Sequence, residues 1–180
     1  MKIKNNLNRF NIDQEIEKYY SEIHDIGITI ANKTGVDLLM SLKRDKLNHG
    51  RYPNVTLFEA ANRIMSDLVI LHGVNGLLRS DFPFDNYEVE FGNENNNDFD
   101  IKAKNHNQKL AGEAFNVASS FFQGKKRTAL KKLRNKAEGY DYKIIIFNSD
   151  AITQTYTPNY NDVCQIVVNI ISREVDINYI

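Results

Sequence analysis

The chain is poor in cysteine and carries no net charge. Cys164 is the single cysteine among 180 residues, so no disulfide can form within the chain and a reducing compartment is expected. Cys164 lies in an apolar run, where a small buried side chain is a more common role than a nucleophile. Lysine plus arginine and aspartate plus glutamate each number 23, so the overall charge gives no hint of a nucleic-acid partner.

Long apolar runs are also missing. No stretch approaches the roughly 20 consecutive apolar residues of a membrane-spanning helix, and the first ten residues hold no apolar segment of signal-peptide length. We therefore expect a cytoplasmic protein without a membrane partner. Hydrophobic residues make up 42% of the chain, which is enough for one globular core with an added helical layer.

Several widespread functional motifs are absent from the sequence. It contains no phosphate-binding glycine-rich loop, no dinucleotide fingerprint, no zinc-type Cys/His spacing and no nucleophile elbow. The histidines show no metal-ligand spacing; they are His24, His49, His72 and His106. Any functional site must therefore be sought in the placement of charged residues along the predicted elements.

The first third of the chain has helical periodicity. Apolar residues recur at helical spacing in 12–45, with interruptions at Gly27 and Gly35. A clearer helix follows the loop 48–54, because Thr56 and Glu59 form a capping box ahead of an apolar stripe. We expect residues 1–55 to form an N-terminal helical region packed on an α/β core of residues 56–180, as one domain.

The spacing of apolar residues changes after this helix from a helical period of 3.6 residues to a strand period of 2. Residues 87–91 and 98–104 alternate apolar and polar side chains around the asparagine-rich turn 93–97, which predicts a hairpin. Residues 109–118 fit a helix or a strand, and the loop 105–108 favours the strand. A helix ending at Gly139, a buried strand around 144–147 and a helix at 163–171 follow. The predicted fold is an α/β sandwich around a mixed sheet.

Two acids, Asp100 and Glu113, meet in this arrangement. Counting back from the loop 105–108 sets them directly opposite each other, with Cβ atoms roughly 4.5–5.5 Å apart. Like charges so placed are unfavourable unless one is protonated or a cation lies between them. Mg²⁺ is commonly held by one or two carboxylates with water and phosphate oxygens. The alternative is a pair of solvated acids with Lys102 as an ion-pair neighbour, and a one-residue slip would separate them.

The order of elements resembles the PD-(D/E)xK nuclease superfamily, which includes restriction endonucleases. A helix, three strands with an Asp on the second and a Glu on the third, then a helix and a strand span about residues 56–150. The resemblance implies a restriction-endonuclease-like α-β-β-β-α-β core and a Mg²⁺ (or Mn²⁺) site at Asp100 and Glu113. It further implies hydrolysis of DNA phosphodiester bonds by a small restriction-type endonuclease, which in many members is a homodimer. Glu59 matches an extra acid of some members, although the capping box explains it fully.

The lysine of this motif is missing from its usual place. Phe115 stands two positions after Glu113, where the lysine that orients the attacking water belongs. The candidates for a relocated lysine are Lys102, on the strand face of the acids, and Lys125 or Lys126. If none reaches the acids, the resemblance implies a catalytically inactive nuclease-fold module that binds DNA or another protein.

A second reading of the motif is also open. Asp85 followed by "DIK" (Asp100, Ile101, Lys102) spells the motif more literally. This frame makes "GEAFNVASSFF" the following helix and leaves the topology one strand short.

Residues 125–136 are strongly basic, with seven lysines and arginines in twelve positions. The usual role of such a run is a solvated helix face. The functional alternative is contact with DNA phosphates, which makes binding salt-dependent. The candidate contacts are Lys125, Lys126, Arg127, Lys131 and Lys132.

Overall fold

The computed structural model describes residues 4–47, 50–92, 98–153, 156–157 and 162–178. The elements in chain order are β1 (Lys4–Asn8), α1 (Ile12–Ile30), α2 (Gly35–Arg44), α3 (Leu57–Leu78), β2 (Asn86–Glu90), β3 (Ile101–Lys104), β4 (Lys109–Phe115), α4 (Ser119–Lys136), β5 (Tyr142–Asn148), β6 (Cys164–Val168) and β7 (Val175–Asn178). The turn predicted at 93–97 lies outside the described residues. None of the helices in the described ranges combines the length and apolar composition that a bilayer crossing needs.

The seven strands form one mixed sheet in the order β1 to β7. Neighbouring strands from β1 to β4 are antiparallel, β4, β5 and β6 are parallel, and β7 is antiparallel to β6. The helix α4 provides the crossover that a parallel β4–β5 pair requires. The predicted α/β class with a mixed sheet is therefore confirmed.

Helices cover the two faces of the sheet unequally. The helices α1 and α3 pack on one face, where Ile101, Leu110 and Ile144 belong to the larger core. The helix α4 packs on the other face over β4 and β5, where Ala111, Phe115 and other residues form the smaller core. The second face of β1, β2 and β3 therefore lies beside α4 rather than beneath it.

The helix predicted at 163–171 is wrong, because Cys164–Val168 is the strand β6. Its apolar residues are buried on both faces: Ile166 and Val168 lie in the larger core, and Val167 packs against the smaller one. A strand covered on both faces has a nearly continuous apolar run, which helical spacing also fits.

Two other local expectations are corrected. Gly27 does not interrupt α1, which continues to Ile30. Phe99 does not share a face with Ile101, because β3 begins at Ile101 and Phe99 packs in the smaller core. One of the two hydrogen bonds of the predicted capping box is confirmed, because the Glu59 backbone N–H donates to Thr56 Oγ1 at 3.2 Å.

A buried carboxylate ties the N-terminal helices to the sheet. Asp67 of α3 is fully buried and accepts hydrogen bonds from the hydroxyls of Tyr19 and Tyr52 and from the Gly92 backbone N–H. These donors come from α1, from the 50–55 segment and from the residues after β2. Burial raises the pKa of Asp67 to about 6.

Candidate functional site

The hairpin of β3 and β4 sets Asp100 beside Glu113. The loop 105–108 produces the predicted register, with the partners Lys104–Lys109, Ala103–Leu110, Lys102–Ala111 and Ile101–Gly112. The next pair beyond Ile101 and Gly112 is Asp100 and Glu113, and the backbone N–H of the adjoining Ala114 donates to Asp100 Oδ2 at 2.8 Å. The backbone amide of Asp100 in turn stabilises the Glu113 carboxylate. The two acids are therefore neighbours, joined by reciprocal backbone contacts.

A glycine before Glu113 fixes how β4 lies in the sheet. A Cβ atom on Gly112 would stand 2.6 Å from Ile144 Cγ1 of β5 and 3.2 Å from Ile101 Cβ of β3. Such a contact would force β4 away from both neighbouring strands. The glycine thus lets three strands pack closely at the point where the acids project from the opposite face.

The Glu113 carboxyl group is buried and titrates far from its ordinary range. The residue is 8% exposed, and burial raises its pKa to about 7, with a second contribution from the charge of Asp100. Near neutral pH this carboxyl group therefore exchanges between its protonated and ionised forms, and a nearby cation favours the ionised form.

Asp100 is half-buried and has a second acidic neighbour. Burial raises its pKa, and the charge of Glu90 raises it further. Glu90 lies on β2 beside Asp100, because its backbone N–H donates to the Asp100 carbonyl at 2.9 Å. Three acids, Glu90, Asp100 and Glu113, thus occupy one cross-strand row on the α4 side of the sheet.

A lysine from α4 reaches this acid row. Lys132 Nζ donates a hydrogen bond to Glu113 Oε2 at 2.9 Å and lies 2.7 Å from Oε1. Its charge lowers the pKa of both Glu113 and Asp100. Lys125 lies two helical turns earlier on the same side of α4, and its charge also lowers the pKa of Asp100.

The other predicted lysines have different surroundings. Lys102 lies on the strand face of the acids but pairs with Glu88 at 3.4 Å. Lys126 is 4% exposed, and its ammonium donates to the Tyr156 hydroxyl at 2.5 Å. Lys125, Arg127 and Lys131 are exposed on α4.

Phe115 is part of the smaller core. Its ring centroid lies 5.8 Å from that of Phe147 and 6.2 Å from that of Phe122. A lysine at this position would place its ammonium among aromatic rings beneath α4, which is costly without a partner. The packing therefore explains why the residue two positions after Glu113 is apolar.

Glu59 does not join the acid pair. It lies at the exposed start of α3, the helix that packs on the opposite sheet face, and its carboxylate pairs with Arg63 at 2.8 Å. Within the described ranges, no group of three or more His, Cys, Asp or Glu side chains converges closely enough to hold a metal ion.

No protein-family model and no curated protein matches the chain. The assignment of function therefore depends on the geometry of the acid row and its surroundings.

A polar groove adjoins the acid row on the open part of the sheet. It has a volume of about 490 Å³ and is lined by Asn6, Asn86, Glu88, Lys102, Ala103, Lys104, Lys109 and Tyr140. Lys104 and Lys109 lie at the loop end of the hairpin. Lys104 is four residues from Asp100 and Lys109 four residues from Glu113, or about 13 Å along each strand. Positive charge thus lies at one end of this face and the three acids at the other.

The sequence alone predicts no role for Glu90 and only a phosphate-binding role for Lys132. The position of Glu90 could be predicted from the alternation of apolar and polar residues. Because the apolar residues of β2 and β3 share one face of the sheet, the polar residue Glu90 shares the other face with Asp100. The sequence indicates the position of Lys132 less clearly. Lys132 lies three residues after the inward-facing Ala129, which places it on the flank of α4.

Replacing Lys132 by Met should raise the pKa of Glu113 further above 7, because the ammonium favours the ionised carboxylate. Titration of the side-chain carboxyl carbon by NMR measures this pKa directly. Lys131→Met is the matched control, since Lys131 is exposed on the same helix and should leave the titration unchanged. An unchanged Glu113 pKa in Lys132→Met would show that the ion pair does not form in solution.

Proposed function

We propose that the protein is a Mg²⁺-dependent endonuclease that hydrolyses phosphodiester bonds in DNA, of the small restriction type. The observation that carries the proposal is the adjacent pair of carboxylates, the half-buried Asp100 and the buried Glu113, each with a raised pKa. The element order α3-β2-β3-β4-α4-β5 supports it, since it agrees with the restriction-endonuclease-like α-β-β-β-α-β core that the sequence resembles.

The acid pair fits a hard divalent cation. Carboxylate oxygens are the ligands that Mg²⁺ and Mn²⁺ take in proteins, and one or two of them suffice when water and phosphate complete the shell. Glu113 Oε1 is buried and lies 2.7 Å from the Lys132 ammonium. Asp100 and Glu113 would hold the ion, which when bound would stabilise charge on the phosphate and lower the pKa of an attacking water.

Lys132 takes the role of the missing motif lysine. Its ammonium already contacts Glu113, so it can donate a hydrogen bond to a water held at the acid pair and orient that water toward a phosphorus atom. Lys102 is engaged by Glu88 and Lys126 by Tyr156. Lys125 lies on the flank of Lys132 and adds positive charge near Asp100.

The surroundings of the acid row suit a phosphodiester chain. Lys125 supplies exposed positive charge on the flank of α4 that also carries Lys132, while Lys104 and Lys109 supply it at the far end of the polar groove. Phosphate contacts of this kind position a nucleic acid without reading its sequence. A strand that follows the groove from these lysines reaches the acid row.

A second candidate function is a nuclease-fold module that binds DNA or another protein without cleaving it. It is favoured by Phe115 at the motif lysine position and by the Lys132 ammonium, which already neutralises Glu113 without a metal. Metal binding distinguishes the two functions, because only the endonuclease needs the divalent ion.

Mg²⁺ should raise the melting temperature more strongly at about pH 8.5 than at about pH 6, because the metal competes with the proton on Glu113. Differential scanning calorimetry with and without Mg²⁺ measures this, and isothermal titration gives the affinity. Asp100→Asn and Glu113→Gln should lose the stabilisation. Glu88→Gln, which removes a carboxylate from the same sheet face, is the matched control and should keep it.

The outcome of that experiment decides between the candidates. Metal-induced stabilisation that disappears in both acid variants supports the endonuclease. A wild-type protein that neither binds Mg²⁺ or Mn²⁺ nor gains stability from them contradicts it and leaves the binding module.

A further inference from the structure

The outer side of α2 is apolar and exposed. Val36, Leu39 and Met40 lie at helical spacing on one side of this helix, with exposed fractions of 75%, 61% and 42%. Every residue of α2 is described, and Ser41 is the only buried one. Leu38 and Leu42 are half-buried, and Leu42 packs against the larger core, so α2 already has an inner apolar side. Val36, Leu39 and Met40 form a second apolar side that faces solvent, which indicates a surface that a partner covers.

The exposed apolar surface continues onto α3. Phe58 and Met65 lie seven residues apart on one side of α3 and are 53% and 38% exposed. The Lys43 ammonium of α2 lies 5.0 Å from the centre of the Phe58 ring, which joins the two helices at this surface. We define the α2–α3 apolar face as Val36, Leu39, Met40, Phe58 and Met65.

Opposite charges flank this face at the two ends of α2. Asp37 lies in the first turn and Arg44 in the last, seven residues apart and therefore on the same flank of the helix. Both side chains are exposed. If a second copy of α2 lies antiparallel across the face, a two-fold axis places Asp37 of each copy beside Arg44 of the other.

We propose that the α2–α3 apolar face is the interface of a homodimer, with the two α2 helices antiparallel about a two-fold axis. A two-fold interface requires one surface to be complementary to itself. The α2–α3 apolar face meets this requirement. Its apolar centre can pack against the same residues of a second copy, and the two-fold axis brings Asp37 of each copy beside Arg44 of the other. An apolar centre with charges at the rim is also the usual composition of a homodimer interface.

The dimer does not depend on the endonuclease proposal. The α2–α3 apolar face belongs to the helical layer on one side of the sheet, whereas Asp100 and Glu113 lie on the side of α4. Dimerisation therefore leaves the acid row of each copy accessible. Failure of metal binding would contradict the endonuclease and leave the dimer intact.

Sedimentation equilibrium of the full chain tests the interface. The wild type should be a dimer, and Leu39→Glu should be a monomer with an unchanged far-ultraviolet circular dichroism spectrum. Ile171→Glu is the matched control, because Ile171 is 96% exposed outside the face and should leave the dimer unchanged. A monomeric wild type, or a dimer that survives Leu39→Glu, overturns the proposal.

Charge reversal tests the antiparallel geometry. Asp37→Arg and Arg44→Asp should each weaken dimerisation by at least about tenfold, because each sets like charges together twice in the dimer. The double variant restores opposite charges in every pair and should recover the wild-type dissociation constant. Failure of the double variant to recover the dimer overturns the antiparallel arrangement.

Discussion

Asp100→Asn and Glu113→Gln should each reduce DNA cleavage at least about 1,000-fold. A metal ion contributes several kcal/mol of stabilisation to the transition state, and each 1.36 kcal/mol corresponds to about a tenfold change in rate. Both variants keep the shape of the side chain while removing one carboxylate of the proposed metal site. Plasmid nicking and linearisation with Mg²⁺ present measure the rate.

Stability measurements separate loss of the site from loss of the fold. Each variant removes one of two adjacent acids, so the repulsion between Asp100 and Glu113 disappears. We expect the free energy of unfolding at neutral pH without metal to stay constant or rise. Glu88→Gln on the same sheet face should retain both cleavage and stability. Cleavage that persists in Glu113→Gln would mean that the catalytic site lies elsewhere.

Asp67→Ala should lower the free energy of unfolding by about 3–5 kcal/mol, because it leaves several buried donors without an acceptor. The orphaned groups are the hydroxyls of Tyr19 and Tyr52 and the backbone N–H of Gly92. These groups join α1, the 50–55 segment and the end of β2 to α3. Urea denaturation followed by circular dichroism measures the change.

The control for Asp67 is Asp13, which is exposed on α1 and pairs with Arg79. Asp13→Ala should change stability by less than about 0.5 kcal/mol, as is usual for surface positions. A comparably small effect of Asp67→Ala would show that the buried network contributes little net stability.

The pKa of Asp67 also sets the sign of a pH effect. Because the folded protein holds this proton up to about pH 6 and the unfolded chain releases it near the ordinary value of 3.8, the folded state binds more protons between these pH values. The contribution of Asp67 to stability therefore falls as the pH rises through this window. Asp67→Asn should remove that dependence, which urea denaturation across the pH range measures.

The hairpin that holds the acids could be read from the sequence because its determinants are local. The length of the loop 105–108 sets the register, and the alternation of apolar and polar residues fixes the face. Because β4 is a strand, the reading of "GEAFNVASSFF" as a helix after "DIK" is wrong, and helix α4 starts only at Ser119. The position of Asp100 beside Glu113 therefore follows from nearby residues alone.

The roles of the lysines depend on contacts between distant parts of the chain. Spacing places Lys125, Lys126 and Lys132 on one basic helix, but the rotation of that helix on the sheet decides which of them is buried. Lys126 turns inward to Tyr156, and Lys132 reaches Glu113. Local spacing places Lys132 on the flank of α4 but does not show that this flank faces the acids.

The strands outside the β3–β4 hairpin show the same division. Local pattern identifies β5 as an apolar strand, yet β6 has apolar spacing that a helix also satisfies, and β1 consists mostly of polar residues. Their strand conformation is decided by backbone hydrogen bonds to β5 and β2, which are distant in sequence. The sequence by itself thus determined the register of the hairpin and the adjacency of Asp100 and Glu113. Only the tertiary structure decided which lysine meets them, because that depends on how α4 packs against β4.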